Sequence, residues 1–170
     1  MSEAGSCPDP APADALPVAD ALPVADALPV ADALGYLAGR WRVRRTVLDL
    51  TAGETGRFEG VADFTAHGDD GTLAHAERGE FHWRGTARSA TRAHAYAPGP
   101  GGTALVGFPD GRPFHDLDLR TGRWRAVHGC PPDRYEGQFT VLGPDRWQVV
   151  WRVTGPAKNL LLTTVHDRSR

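Results

Sequence analysis

The sequence predicts an all-β protein, an up-and-down antiparallel β-barrel of about ten strands. Three observations predict it. From residue 41 on, strand-length segments alternate apolar and polar side chains and are separated by Gly, Pro and Asp. Tight-turn pairs such as Asp110-Gly111 and Thr121-Gly122 suit hairpins between neighbouring segments. No long segment carries the apolar period of a helix. A closed barrel removes exposed strand edges and leaves an interior able to hold one small ligand. A two-sheet sandwich is the other architecture that this pattern permits.

The elements follow in chain order. Residues 13–30 are three copies of ADALPV, followed by the altered copy ADALGY. Three short copies cannot stack into a solenoid, and a proline every six residues removes helix donors. Residues 1–33 therefore read as a disordered tail, and residues 34–170 as the barrel domain. "ALGYLAGRW" reads as one helical turn that breaks at Gly39 and delivers Trp41 into the first strand. Strands are expected near 41–49, 56–65, 73–83, 87–96, 103–108, 112–119, 123–129, 135–142, 146–153 and 160–168.

Composition narrows the function classes. A chain of 170 residues suffices for one domain with its own core. The 19 basic and 21 acidic residues are scattered and give a net charge of −2, which marks no nucleic-acid or membrane surface. No run approaches the roughly 20 apolar residues of a membrane helix. The first ten residues lack the basic start and apolar stretch of a secretory signal, so a soluble, cytoplasmic protein is expected. Lys158 is the only lysine, and with abundant Ala, Gly and Arg this reads as a GC-rich bacterial genome. Cys7 and Cys130 do not make a disulfide framework. The expected partner is a small-molecule ligand, with a homodimer also admitted.

Alternation assigns the faces once Trp41 points inward. Val43, Arg45, Val47 and Asp49 then face in, as do Phe58, Gly60, Ala62 and Phe64 on the second strand. Leu73, His75, Glu77, Gly79 and Phe81 share the inner face of the third. Arg45 and Glu77 are expected to pair there, because a lone buried charge is costly. Late in the chain the inner faces hold Trp124, Ala126, His128 and Cys130, then Tyr135, Gly137, Phe139 and Val141. Trp147, Val149, Trp151 and Val153 follow, and finally Leu160, Leu162, Thr164, His166 and Arg168.

"HGCPPDRYEG", residues 128–137, concentrates the chemistry. Its position reads as a corner between two strands that also lines the lumen. His128 and Cys130 would need two further metal ligands, from His166 or His115, and His-x-Cys is not a zinc spacing, so no metal is assigned. Cys130 has no oxyanion-hole signal beside it and reads as a packed thiol. Asp133 suits backbone N–H groups in the turn, and the Tyr135 hydroxyl suits a carbonyl or carboxylate. In "DGRPFHD" the apolar pattern turns His115 inward and Asp116 outward. The ligand-binding set is Arg45, Glu77, His128, Cys130, Tyr135, Trp151, Lys158 and His166. The leading function is binding of a small, partly apolar molecule. The alternative is an enzyme using the same cavity, with His128 as proton shuttle and Tyr135 as donor.

"GRW" at 39–41, preceded by a helical turn, resembles the Gly-x-Trp opening of the lipocalins and their calycin relatives. The resemblance implies that an arginine near the last strand packs across the tryptophan and closes the barrel floor, and Arg168 stands in that place. "DGRPFHDLDL", "HGCPPDRYEG" and "VTGPAKN" resemble recurring blocks of an uncharacterised bacterial family, domain of unknown function 6314, over nearly all of 34–170. That resemblance implies a fold and no reaction. Nitrobindin-type relatives bind haem through a lumen-facing histidine of a late strand. By that likeness His166 is the expected ligand if haem binds, and no other cofactor is implied.

Overall fold

The computed structural model describes residues 26–169. After a short helix α1 (Ala33–Leu37) the chain forms ten strands. They are β1 (Gly39–Asp49), β2 (Glu54–Ala66), β3 (Leu73–Trp83), β4 (Thr86–Pro98) and β5 (Ala104–Gly107), then β6 (Pro113–Leu117), β7 (Arg123–Cys130), β8 (Asp133–Gly143), β9 (Arg146–Gly155) and β10 (Lys158–Arg168). Their ends fall within two residues of those expected from alternation. All ladders are antiparallel, in the order β6-β5-β4-β3-β2-β1-β10-β9-β8-β7. No helix among the described residues is long and apolar enough to cross a membrane.

Closure is complete on one side of the barrel and partial on the other. β1 pairs with β10 along its length, from Trp41 opposite Arg168 to Asp49 opposite Leu160. β6 and β7 are the two ends of the sheet order and share no ladder. A side chain spans that seam, where Trp124 Nε1 donates to the Asp116 carbonyl at 2.9 Å. β5 covers only Ala95–Pro98 of β4, so the β4 edge from Thr86 to His94 has no strand paired beside it. The short β5–β6 hairpin therefore leaves a window in the wall between the outer halves of β4 and β7.

The opposite end is a packed floor. Asp32 caps α1 by accepting from the Gly35 N–H at 3.1 Å. Gly39, at φ +111°, then turns the chain into β1, a backbone state that side chains with a Cβ rarely adopt. Trp41 is fully buried and donates from Nε1 to the Leu37 carbonyl at 2.7 Å. The Arg168 guanidinium lies 4.1 Å from the Trp41 ring centre and donates to the carbonyls of Ala38 at 3.0 Å and Tyr36 at 2.8 Å. A cation over an indole face, with its N–H groups on backbone oxygens, ties the first strand to the last.

Part of the segment assigned to the tail belongs to the fold. Leu28 donates its N–H to Val141 at 2.9 Å, Val30 donates to Leu119 at 3.0 Å, and Ala33 is fully buried. The domain as described thus begins before residue 34. Proline at every sixth position excludes a helix, but it leaves the flanking N–H groups free to join an extended pairing, and Leu28 and Val30 flank Pro29. The earlier repeat copies and Cys7 lie outside the described residues.

Candidate ligand site in the barrel

Above the floor, ladder register sets the charged layer. Glu77 sits opposite Arg92 on β4, and Arg45 reaches it from β1. The Glu77 side chain is 2% exposed and accepts from Arg45 Nη1 and Nη2, each at 2.8 Å, and from Arg92 Nη2 at 3.0 Å. Burial alone would raise its carboxyl. The hydrogen bonds from Arg45 and the charges of Arg92 and Arg45 outweigh that and hold it below its ordinary value. Arg45 also donates from Nε to Thr164 Oγ1 at 2.8 Å, so all its nitrogens are committed. Arg92 commits Nη2 alone, and its side chain is 39% exposed.

Three inward histidines surround this layer without adding charge. Burial holds His75 down to about 3 and His94 to about 4, and it holds His166 well below the ordinary imidazole value. His75 stacks on His94 with ring centres 5.6 Å apart. His166 lies flat on Trp147 at 3.6 Å, in the layer next to the floor, paired in register with Val43. The Nδ1 atoms of His75 and His166 are buried and have no hydrogen-bond partner among the described residues. Haem at His166 would need a flat slot beside the ring. Trp147, Val43 and Thr164 fill that layer with at most 5% exposure each, so these residues do not fit the macrocycle.

The wall that meets β4 at His94 is aromatic. The Trp151 ring covers Gly137 so closely that a Cβ there would lie 2.8 Å from it, so only glycine admits the ring. Phe114 stacks on Trp151 at 5.5 Å and on His94 at 5.4 Å, and it meets the His128 ring edge at 5.0 Å. His94, Phe108, Phe114, His128 and Tyr135 are only half-buried, whereas the inward residues below them are buried. At the open end a cleft of about 480 Å³ is lined by Val47, Phe81, Trp83, Arg88 and Leu160, among others.

The stretch from His128 to Gly137 forms the upper rim. His128 and Tyr135 are register partners with rings 6.2 Å apart. Lys158 Nζ lies 3.3 Å from the Tyr135 hydroxyl and 2.5 Å from Asp133 Oδ2, and the Asp133 hydrogen bond raises the lysine further into its cationic form. Asp133 thus holds Lys158, with no backbone N–H bonded to its side chain among the described residues, unlike the turn role expected of it. Cys130 is exposed, unlike the packed thiol expected, because the strand ends there beyond the last inward layer. His115 stands beside Phe139 and Trp151 and Asp116 is exposed, in line with the assigned faces. Among the described residues no three His, Cys, Asp or Glu side chains converge as a metal-holding group.

The structure therefore gathers Arg45 and Glu77 in the charged layer, and His128, Tyr135, Trp151 and Lys158 around the window. His166 stays at the floor and Cys130 stays outside. Arg92, His94, Phe108 and Phe114 complete the site and were not singled out from sequence. For β4 the signal was present but inverted. In "TARSATRAHAYAP" Ala87, Ala93, Ala95 and Ala97 share the face opposite to Arg88, Arg92, His94 and Tyr96, and it is the more polar set that faces in, opposite Glu77 and His75.

Solved structures share this barrel. An S-type phycobiliprotein lyase from Guillardia theta is similar at TM-score 0.59 and 12% identity, over 81% of this chain and 90% of that one. A protein of unknown function from the DUF3598 family of Nostoc punctiforme PCC 73102 is similar at TM-score 0.60 and 13% identity, over 80% of this chain. The aligned part spans 49% of that longer protein. At these identities the likeness is one of fold, a lipocalin-like barrel. No curated protein matches the sequence. Residues 37–168, from the floor helix to the arginine that covers Trp41, match the family of unknown function DUF6314, and the chain belongs to that family.

Proposed function

We propose that the barrel binds a small, partly apolar molecule, which passes the window between β4 and β7 and rests against the Trp151–Phe114 wall. One observation carries this reading. Inward-facing rings at the window are half-buried and keep contact with solvent, while those below them are at most 9% exposed. Apolar surface that faces a lumen and stays wet gains free energy when an apolar body covers it, by about 25 cal/mol per Å². His128, Tyr135 and the cationic Lys158 at the rim supply the few polar contacts that orient a ligand against this wall.

The neutral probe N-phenyl-1-naphthylamine tests the proposal, because its fluorescence rises on transfer from water to an apolar site. Saturable one-to-one binding to the folded protein is expected, weakened about tenfold in Phe114→Ala. A linear, unsaturable response with wild-type protein would remove the reading.

A further inference from the structure

We infer that the ligand of this barrel is an organic anion, an apolar body bearing a carboxylate or sulfonate, whose charge is received by Arg92. The inference rests on the lumen-binding reading above and names its ligand class. Its first support is the charge count of the inner layer, where two guanidinium groups share one carboxylate. The second is how unequally they share it. Arg45 is 10% exposed and saturated, whereas Arg92 is 39% exposed and presents Nε and Nη1 without a partner among the described residues. Glu77 fixes the Arg92 guanidinium in place and leaves these donors over. A guanidinium fork matches a carboxylate or sulfonate in geometry as well as charge.

The surroundings point the same way. Among the described residues Glu77 is the one buried acidic side chain, and at the rim the carboxylate of Asp133 is taken by Lys158. Asp49, at the mouth, accepts the N–H groups of Thr51 and Ala52 in its own turn. Arg88 lies on the same face of β4 as Arg92, lines the open cleft, and makes no ion pair among the described residues. Two arginines along the unpaired edge of β4 thus lead from solvent to the charged layer. His75, directly beneath, is 3% exposed with Nδ1 unpartnered, so the inner end of this path retains an unused polar group. The aromatic wall opposite receives the apolar body.

The test uses two probes that share one aromatic body, 8-anilino-1-naphthalenesulfonate and neutral N-phenyl-1-naphthylamine, titrated into the full chain at neutral pH. The sulfonate is expected to bind at least about tenfold more tightly, the usual worth of one charge-assisted hydrogen bond. Arg92→Gln should abolish that preference, weakening the sulfonate at least about tenfold more than the neutral probe. Arg92→Lys, which keeps the charge, should retain part of it, and it keeps the test decisive if the glutamine variant does not fold by circular dichroism. Equal affinity of both probes for wild type would overturn the anion assignment while lumen binding stands. A preference that survives Arg92→Gln in a folded protein would also overturn it. Saturable binding of neither probe would remove the lumen reading and the inference with it.

Discussion

The floor and the window of this barrel are made by the same strands and put their polar groups to opposite use. At the floor the donors of Arg168 and Trp41 all have acceptors. Arg168 is divided among Tyr36, Ala38 and Asp145, and Trp41 is bonded to Leu37. At the window donors on Arg92 and Arg88 are left over among the described residues, and half-buried rings face water. Satisfied polar groups around a buried aromatic stabilise one conformation, whereas unsatisfied groups beside wet apolar surface gain from a ligand. Stability and binding are thereby lodged at different places, and single substitutions should separate them.

The sharpest separation comes from Trp41 and Phe114. Trp41→Ala removes a fully buried indole and the surface under Arg168, and should cost about 3–5 kcal/mol in urea denaturation. Phe114 is half-buried, so Phe114→Ala should cost about 1 kcal/mol while it weakens probe binding. Equal losses of stability would show that the window is packed as tightly as the floor, and the contrast would fail.

The second test titrates the interior. His75, His94 and His166 are held neutral in the folded protein, at about 3, about 4 and well below normal, against an ordinary value of 6.5. Below pH 6.5 the unfolded chain therefore binds protons that the folded chain refuses. The stability these groups confer is complete above that pH and is lost as pH falls toward their folded values. Each contributes a slope of up to about 1.4 kcal/mol per pH unit. Glu77, ionised below its ordinary value, adds its own loss at still lower pH. Urea midpoints measured from neutral pH down to about pH 5 should fall steadily, and His75→Asn should flatten the slope by one proton's share. A flat profile would mean that the histidines reach water and that the layer above the floor is open.

How far the sequence reveals each region follows from what determines it. The floor and the face assignments are local, because alternation from Trp41 places Val43, Arg45 and Val47 inside without knowledge of any partner. The Arg45–Glu77 pair follows from two such assignments and the cost of a lone charge. The window depends instead on strand length and pairing between distant segments. Nothing in "ALVG" or "PFHDL" announces that β5 covers only the last residues of β4, or that β6 shares no ladder with β7. β4 misleads for a related reason. Its alanine face is the more apolar one, yet register with β3 turns Arg92 and His94 inward, because Glu77 and His75 are already there to meet them. Cys130 obeys alternation and still lies outside, since the barrel ends one layer earlier.

The last comparison concerns the seam between floor and window, which the third repeat copy closes. Leu28 and Val30 hydrogen-bond to Val141 and Leu119, residues of β8 and of the turn after β6, and thereby span the end of the sheet that lacks a ladder. Val30 also packs against the core, and Ala33 is fully buried under it. A chain beginning at Leu34 loses two backbone hydrogen bonds, at about 1 kcal/mol each, and uncovers part of the core, for a total of about 2–3 kcal/mol. A chain beginning at Asp26 keeps all of these contacts and should unfold at the same urea concentration as the full chain. The two truncations differ only by residues 26–33, so the comparison isolates this strap. If both unfold like the full chain, β6 and β7 hold the seam unaided. If the Leu34 chain loses stability and also binds N-phenyl-1-naphthylamine less tightly, the strap fixes the window as well, since Leu119 and Val141 are anchored next to the strands that carry Phe114 and Phe139.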